Sequence, residues 1–447
     1  MKRQMKLFRL KPPQFLVVGF AVIILIGAVL LSLPAASADG KSLPFINALF
    51  TATSATCVTG LVVVDTGTHF TLFGQWVILA LIQVGGLGFM SMATLIWMML
   101  GKKISLRERL ILQESLNQSS MEGVVRLIRK VLLYSILIEL GGALLLSVRF
   151  MFDMSPLKAI YFGVFHAISF FNNAGFDIMG DFRSMTPYER DPIVNLTSMA
   201  LIVLGGLGFI VLSELFNYKK PLFRFSLHTK LVLTTTAFLI VSGAIVIFVF
   251  EYTNRMTLGP LSFDGKLWGA LFQSVTPRTA GVNTIDIGSM RQATQFFMII
   301  LMFIGASPGS TGGGIKTTTF ITLIGAMTAM IRGKEDIVYF RCRLAQEQVY
   351  KAITLTLLSL FWVIFASMVM STTEPHHFLM ILFEVTSAFG TVGLSMGLTP
   401  MLTIFGKIMI ILTMFIGRLG PITLAYALWN RGEKELYRHP EGKIMIG

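Results

Sequence analysis

One pattern, used four times, limits what this chain can become. A long apolar stretch is followed by a shorter apolar stretch, a loop of small residues ending near a glycine, and a second long apolar stretch. The first copy occupies 15–33, 44–55, 56–61 and 75–100, and the second 131–152, 156–170, 171–176 and 193–216. The third takes 230–250, 266–275, 276–282 and 294–331, and the fourth 351–371, 375–388, 389–394 and 404–429. The loop glycines Gly60, Gly175, Gly281 and Gly393 recur about every 110 residues, well beyond the roughly 20–50 residues of solenoid repeats. "GGLGFM" at 85–90 and "GGLGFI" at 205–210 fall at similar places in copies one and two.

The long stretches approach or exceed the ~18 apolar residues that mark a spanning helix. Charged residues make up 13% of the chain and hydrophobic ones 54%, against about 25% charged in soluble domains. The fold class expected is an all-α polytopic membrane protein with eight spanning helices. Five stretches, 1–11, 101–130, 218–230, 332–351 and 431–447, hold 25 of the 37 Lys and Arg. Positive residues mark the cytoplasmic side, so both termini are expected there. Spread over five separated stretches, the charge builds no single basic face, and nucleic acid is not an expected partner. Cys57 and Cys342 supply neither a disulfide framework nor a metal spacing. No nucleophile–base or metal constellation points to an enzyme or an organic cofactor. A basic start, an apolar run and Ala36-Ser37-Ala38 imitate a signal peptide. That run is longer than an h-region and the repeat requires it, so it reads as a retained helix.

All four copies start and finish on the same side, so the repeat is parallel about an axis along the membrane normal. The short middle runs, about 10–15 residues each, cannot cross a bilayer. They read as re-entrant segments, with helices lying on the outer surface as the alternative. Irregular backbone at membrane depth is tolerated only when buried in protein or lining a wet cavity, so four such loops around one axis imply a pore. Its candidate lining is Cys57-Val58-Thr59-Gly60, Asn172-Asn173-Ala174-Gly175, Arg278-Thr279-Ala280-Gly281 and Gly390-Thr391-Val392-Gly393. Small side chains and glycine dihedrals let backbone carbonyls replace a cation's hydration shell. The C-terminal ends of the preceding short helices add negative potential.

The stretch "GASPGSTGGGIK" at 305–316 interrupts the third copy's last helix. Gly309 and Gly314 have P-loop spacing, but Ile315 stands where the lysine belongs. The other reading is a helix broken at mid-depth. Gly281 to Gly305 and Gly393 to Gly417 are both 24 residues, which places the broken segment level with Arg418, below the ring. A charge within a spanning helix costs about 2.5–3.5 kcal/mol on insertion scales and faces a wet cavity or a partner. Arg418 therefore either raises a barrier in the path or ties to a loop carbonyl or to Glu214. Lys316 either joins the barrier, snorkels to the interface or caps the broken helix. His166 reads as packed, Glu139 as hydrogen-bonded to a neighbour, and Glu384 and Arg278 as a pair that could hold the loops. Asp65, Asp177 and Asp286, shortly after ring glycines, either concentrate cations or are solvated loop residues.

On these motifs, from Pro12 to Trp429, the chain resembles the Trk/Ktr/HKT superfamily of potassium transporters, most of all its bacterial Ktr membrane subunits. The resemblance implies four helix–pore loop–helix repeats at 12–101, 131–217, 229–331 and 351–430. Cytoplasmic linkers fall at 102–130, 218–228 and 332–350, with a tail at 431–447. It implies K+ as the transported ion, bound by the filter residues Cys57, Val58, Thr59, Gly60, Asn173, Ala174, Gly175, Thr279, Ala280, Gly281, Thr391, Val392 and Gly393. Glycine in all four filter positions goes with potassium selectivity, whereas serine in the first marks sodium-permeable relatives. The second and third loops depart from Thr-Val-Gly. The implied gate comprises Gly305, Ala306, Ser307, Pro308, Gly309, Ser310, Thr311, Gly312, Gly313, Gly314, Lys316 and Arg418. It also implies a homodimer in a bacterial cytoplasmic membrane, bound to a cytosolic, nucleotide-binding ring of RCK domains (KtrA-like). Membrane lipids are the other partner, and the amphipathic stretch 105–117 could lie on the bilayer or dock to protein. The competing function is a sodium- or proton-coupled potassium symporter.

Overall fold

The computed structural model describes residues 12–88, 124–217, 225–421, 423 and 445; the amphipathic stretch 105–117 lies outside them. The helices in chain order are α1 (Pro12–Ser32), α2 (Phe45–Thr56), α3 (Leu72–Leu87), α4 (Val124–Phe150), α5 (Pro156–Phe171), α6 (Pro192–Leu207) and α7 (Phe209–Asn217). They continue as α8 (Leu227–Glu251), α9 (Phe263–Val275), α10 (Gln292–Phe303), α11 (Thr317–Ile331), α12 (Gln346–Thr373), α13 (Phe378–Gly390) and α14 (Ile404–Leu419). A two-residue-strand hairpin, β1 (Val338–Tyr339) with β2 (Cys342–Arg343), precedes α12.

The long helices carry no apolar stripe. Val18, Val22, Leu25, Ile26 and Val29 of α1 are all exposed, as are Leu357, Phe361, Ile364 and Met368 of α12. Soluble proteins rarely leave continuous apolar faces of that kind uncovered. Among the described residues, 13–32, 128–150, 227–251 and 346–373 are long and apolar enough to cross a membrane. The pair α6 and α7, bent by 105°, qualifies as a fifth. Over the described residues, α3, α10 and α14, of 16, 12 and 16 residues, are each too short to span alone, and each ends at an interruption of helical dihedrals.

Those interruptions go further than the sequence suggested. Besides the break after α10, α3 stops at Gly88, α6 at Gly208 and α14 at Gly420, with φ of 81°, 95° and 82°. Only glycine adopts such backbone freely. The three share the pattern Gly-x-Leu-Gly: Gly85-Gly86-Leu87-Gly88, Gly205-Gly206-Leu207-Gly208 and Gly417-Arg418-Leu419-Gly420. The first glycine of each lies under a short helix. A Cβ at Gly85, Gly205 or Gly417 would collide with the carbonyl of Thr56, Phe171 or Phe389 respectively.

The outer ends are clamped by the same logic in different residues. Glu251, closing α8, accepts hydrogen bonds from the Arg291 amide (2.9 Å) and the Thr294 hydroxyl (2.5 Å) at the start of α10. Glu374 after α12 accepts from the Thr403 hydroxyl at 2.5 Å, and Thr403 caps α14 through the Gly406 amide at 3.1 Å. Arg149 of α4 pairs with Asp191, which caps α6 through the amides of Ile193 and Val194. An otherwise orphaned set of helix-start N–H groups is satisfied in each case.

The packing closes on itself. Each long helix contacts the short helix and the following helix of its own copy: α1 with α2 and α3, α4 with α5 and α6, α8 with α9 and α10, α12 with α13 and α14. Between copies, α3 meets α5, α6 meets α9, α10 meets α13 and α14 meets α2. Every second helix thus leans on the next copy's short helix, and the fourth returns to the first.

Candidate functional site

The short helices α2, α5, α9 and α13 deliver four loops to the centre of this ring. Their backbones repeat one another. Val58, Asn173, Thr279 and Thr391 have φ of 53°, 57°, 72° and 49°, and two residues later Gly60, Gly175, Gly281 and Gly393 have 89°, 71°, 73° and 92°. Left-handed backbone at a β-branched residue is strained and persists only where surroundings impose it. Here the imposing contacts are visible. The amides of Thr59, Ala174 and Val392 donate to the carbonyls of Ser54, Ser169 and Ser387, each at 2.8 Å, and the Ala280 amide to Thr276 at 3.0 Å. The Ser54 and Ser387 hydroxyls accept from the Gly60 and Gly393 amides at 3.1 Å.

The four loops form a closed ring. A Cβ at Gly60 would lie 2.5 Å from the Ala174 carbonyl oxygen, and one at Gly175 2.9 Å from that of Ala280. Gly281 faces the carbonyl of Val392 in the same way, and Gly393 that of Thr59. Each glycine therefore abuts the carbonyl that precedes the next glycine, in the order one, two, three, four, one. The side chains of Cys57, Val58, Ala174, Ala280 and Val392 are fully buried in the surrounding apolar clusters. Asn173 turns sideways instead, meeting the Thr279 hydroxyl at 3.0 Å.

On one side the ring floors a cavity of about 370 Å³ that all four glycines line, together with Asp65, Asp177 and Asp286. Burial, opposed by the Met179 amide and reinforced by the charge of Asp65, raises the Asp177 carboxyl from 3.8 to about 6. Asp177 therefore takes up a proton as pH falls through 6, and the cavity loses negative potential.

On the other side lies segment 305–316. Its neck is closed by a bridge between Ile304 and Ile315 and by the Thr317 hydroxyl donating to Ser307 Oγ at 2.9 Å. One flank is laid on copy two: the Ser307 amide donates to Gly206 O (3.0 Å), the Thr311 amide to Gly205 O (3.3 Å), and the Phe209 amide to Gly309 O (2.8 Å). The last bond uses an amide freed by the break at Gly208. The tip reaches the ring, where the Gly313 amide donates to Thr391 Oγ1 at 2.9 Å. Gly312 sits so close to Thr279 Oγ1, and Gly313 to the Thr391 side chain, that neither site has room for a Cβ. Ala306, Ser307 and Thr311 are fully buried.

Two cations hold the segment. Arg418 donates to the carbonyls of Thr311 and Gly85, and to Gly86 O at 3.3 Å. It stands where copies one and two carry Gly86 and Gly206, which lie against the side chains of Asn172 and Asn173; in the fourth copy the guanidinium crosses to the loop instead. Of the alternatives left open by the sequence, the loop carbonyl is the partner; Glu214 instead accepts from Ser226 and Thr229. Lys316 does not snorkel: its Nζ donates to Gly312 O at 2.6 Å and Gly313 O at 3.3 Å.

The flanking charges differ in part from expectation. Glu384 and Arg278 do not pair. The Glu384 carboxylate accepts from the hydroxyls of Ser395 (2.9 Å) and Thr399, within its own loop. Arg278 points away, to the Thr236 hydroxyl at 3.2 Å. Glu139 accepts from Gln83 (3.1 Å) and Asn172 (3.0 Å), linking α4, α3 and the second loop. The role of Gln83 and Asn172 in that link was not visible in sequence, since residues 56 and 33 positions from Glu139 share no local pattern with it. His166 is packed as expected, within a cage of Phe150, Phe162, Phe165 and Phe170.

Comparison with known proteins places this arrangement. The family model described as TrkH, cation transport protein, matches residues 12–431. The Ktr system potassium uptake protein B of Bacillus subtilis is 49% identical over 443 residues, 99% of this chain and 98% of its own. The potassium/sodium uptake protein NtpJ of Enterococcus hirae is 43% identical over 446 residues, 98% of each chain. In fold, the crystal structure of the potassium transporter TrkH from Vibrio parahaemolyticus superposes with a TM-score of 0.74, at 18% identity, over 96% of this chain and 87% of that one.

Proposed function

Because the chain belongs to the TrkH family of cation transport proteins, we propose that it is the membrane subunit of a Ktr-type potassium uptake system. Four helix–loop–helix repeats, with α3, α6–α7, α10–α11 and α14 as their second spans, encircle one path through a bacterial cytoplasmic membrane. The ring of Thr59, Ala174, Ala280 and Val392 carbonyls serves as the selectivity filter, and 305–316 with Arg418 and Lys316 as the gate beneath it. The observation that carries this reading is the closed ring, in which each of four glycines abuts the next loop's carbonyl. In this reading a lone cation on that axis is held by the carbonyl oxygens.

Opening requires the loop to withdraw from Thr279 and Thr391, and a partner outside the bilayer supplies the work. The Ktr-system name of the Bacillus relative fits a cytosolic RCK-type subunit that binds a nucleotide, with two copies of this chain per assembly. Purified protein in liposomes should pass rubidium down its gradient with no co-ion on either side. Strict dependence on sodium or protons would replace the pore with a coupled symporter. The Enterococcus relative's potassium/sodium name keeps sodium in view. Gly60→Ser places a side chain against the Ala174 carbonyl, 2.5 Å from its Cβ, and is expected to admit sodium. Unchanged sodium exclusion in the same flux assay would count against the filter assignment.

The outer cavity adds a pH dependence. With Asp177 protonating near 6, uptake at sub-saturating potassium should fall several-fold between external pH 7 and 5. It should recover at saturating potassium, since local concentration and not turnover is affected. Asp177→Asn should flatten the profile at the lower level. A variant profile as steep as the parent's would assign the titration elsewhere.

A further inference from the structure

A second cavity, of about 560 Å³, opens beside the gate on the side opposite the ring, and nothing above uses it. Its walls come from the N-terminal halves of α8, α11 and α12, with Ile210 of α7 and Pro308 of the gate segment. Among the described residues, three basic side chains line it, His228, Lys316 and Lys351, and no carboxylate does, although Glu214 is near enough to interact with His228. His228 Nε2 is buried there with no hydrogen-bond partner. Lys316 spends two of its three protons on Gly312 and Gly313, leaving one donor uncommitted. The starts of α11 and α12 lack side-chain caps, and the positive ends of their dipoles lie at the recess. Leu227, Leu231 and Leu355 complete the wall, so basic and apolar surfaces meet in one recess.

We propose that this recess binds an anionic phospholipid of the cytoplasmic leaflet, its phosphate among His228, Lys316 and Lys351 and its acyl stem along the three leucines. A free phosphate would use the same cations but leave the leucines bare, so the apolar wall favours the lipid. The inference rests on the proposed membrane reading and on the positive-inside orientation of the basic segments. Its consequence follows from Lys316, which faces both the recess and the loop. A phosphate competing for that ammonium weakens its hold on Gly312 and Gly313, and the gate loosens.

The test uses the full chain in neutral detergent, titrated with phosphatidylglycerol, phosphatidylcholine or inorganic phosphate while thermal unfolding is followed. Phosphatidylglycerol should raise the melting temperature, and the other two should not. Lys351→Gln, outside segment 305–316, should raise the phosphatidylglycerol concentration needed for half-maximal protection about fivefold, the factor expected for one lysine near an anionic lipid. Lys351→Arg should keep the parent's value. Protection by phosphatidylcholine equal to that by phosphatidylglycerol, or an undiminished effect in Lys351→Gln, overturns the site. Equal protection by inorganic phosphate overturns the lipid assignment in favour of a soluble anion. In liposomes, rubidium flux should rise with the phosphatidylglycerol fraction, and Lys351→Gln should blunt that rise. Absence of any rubidium flux would instead refute the pore reading, and the unfolding titration would still decide the site.

Discussion

Gly393→Ala should cut initial rubidium uptake by about a hundredfold or more while leaving the protein in the membrane. Two costs coincide at this position. The backbone is held at φ 92°, which L-residues resist by roughly 1–2 kcal/mol. The new methyl group would also be driven into the Thr59 carbonyl oxygen. That oxygen is one of the four proposed to strip and replace the hydration shell, so displacing it damages the ring itself. A hundredfold loss corresponds to about 2.7 kcal/mol at the rate-limiting barrier. The measurement is rubidium uptake in proteoliposomes, with unfolding temperature as a control. Near-normal uptake by a folded Gly393→Ala protein would mean that the loops only brace the bundle.

Deleting residues 309–314 should raise basal flux, without any cytosolic partner, by about tenfold or more. The closed arrangement depends on the Thr391–Gly313 bond, the two Lys316–carbonyl bonds and the Arg418–Thr311 bond. Hydrogen bonds from charged donors contribute about 1.5–3 kcal/mol each and neutral ones about 0.5–1.5, so their joint loss moves a two-state gate strongly toward open. Thr391→Val, which removes only the acceptor of the Gly313 amide, should act in the same direction by a few-fold. A deletion variant that folds and conducts at the parent's rate would remove the gate assignment.

How much of this was legible in the sequence depends on the scale of the feature. The fourfold unit, the ring glycines and the broken third copy follow from hydropathy and small-residue patterning, because each is encoded within a few consecutive positions. The three further breaks were half-hidden. Gly85-Gly86-Leu87-Gly88 and Gly205-Gly206-Leu207-Gly208 were recognisable as a pair, but the fourth copy carries Arg418 in place of the second glycine, and that one substitution masks the match. Aligning the copies on Leu87, Leu207 and Leu419 would have revealed it, and would have shown that Arg418 stands where its counterparts are glycines. The order in which the loops meet was not legible. It is set by α3 on α5, α6 on α9, α10 on α13 and α14 on α2, contacts between segments distant in sequence. The expected Glu384–Arg278 pair failed for a related reason: each residue found oxygens on a neighbouring turn or helix, a geometry that charge signs alone do not disclose.

Anomalous scattering from crystals grown in thallium or rubidium tests the central claim most directly. The account predicts a peak on the axis of the ring, coordinated by the carbonyl oxygens of Thr59, Ala174, Ala280 and Val392. A well-phased map with heavy-ion density elsewhere in the bundle and none within that ring would contradict it.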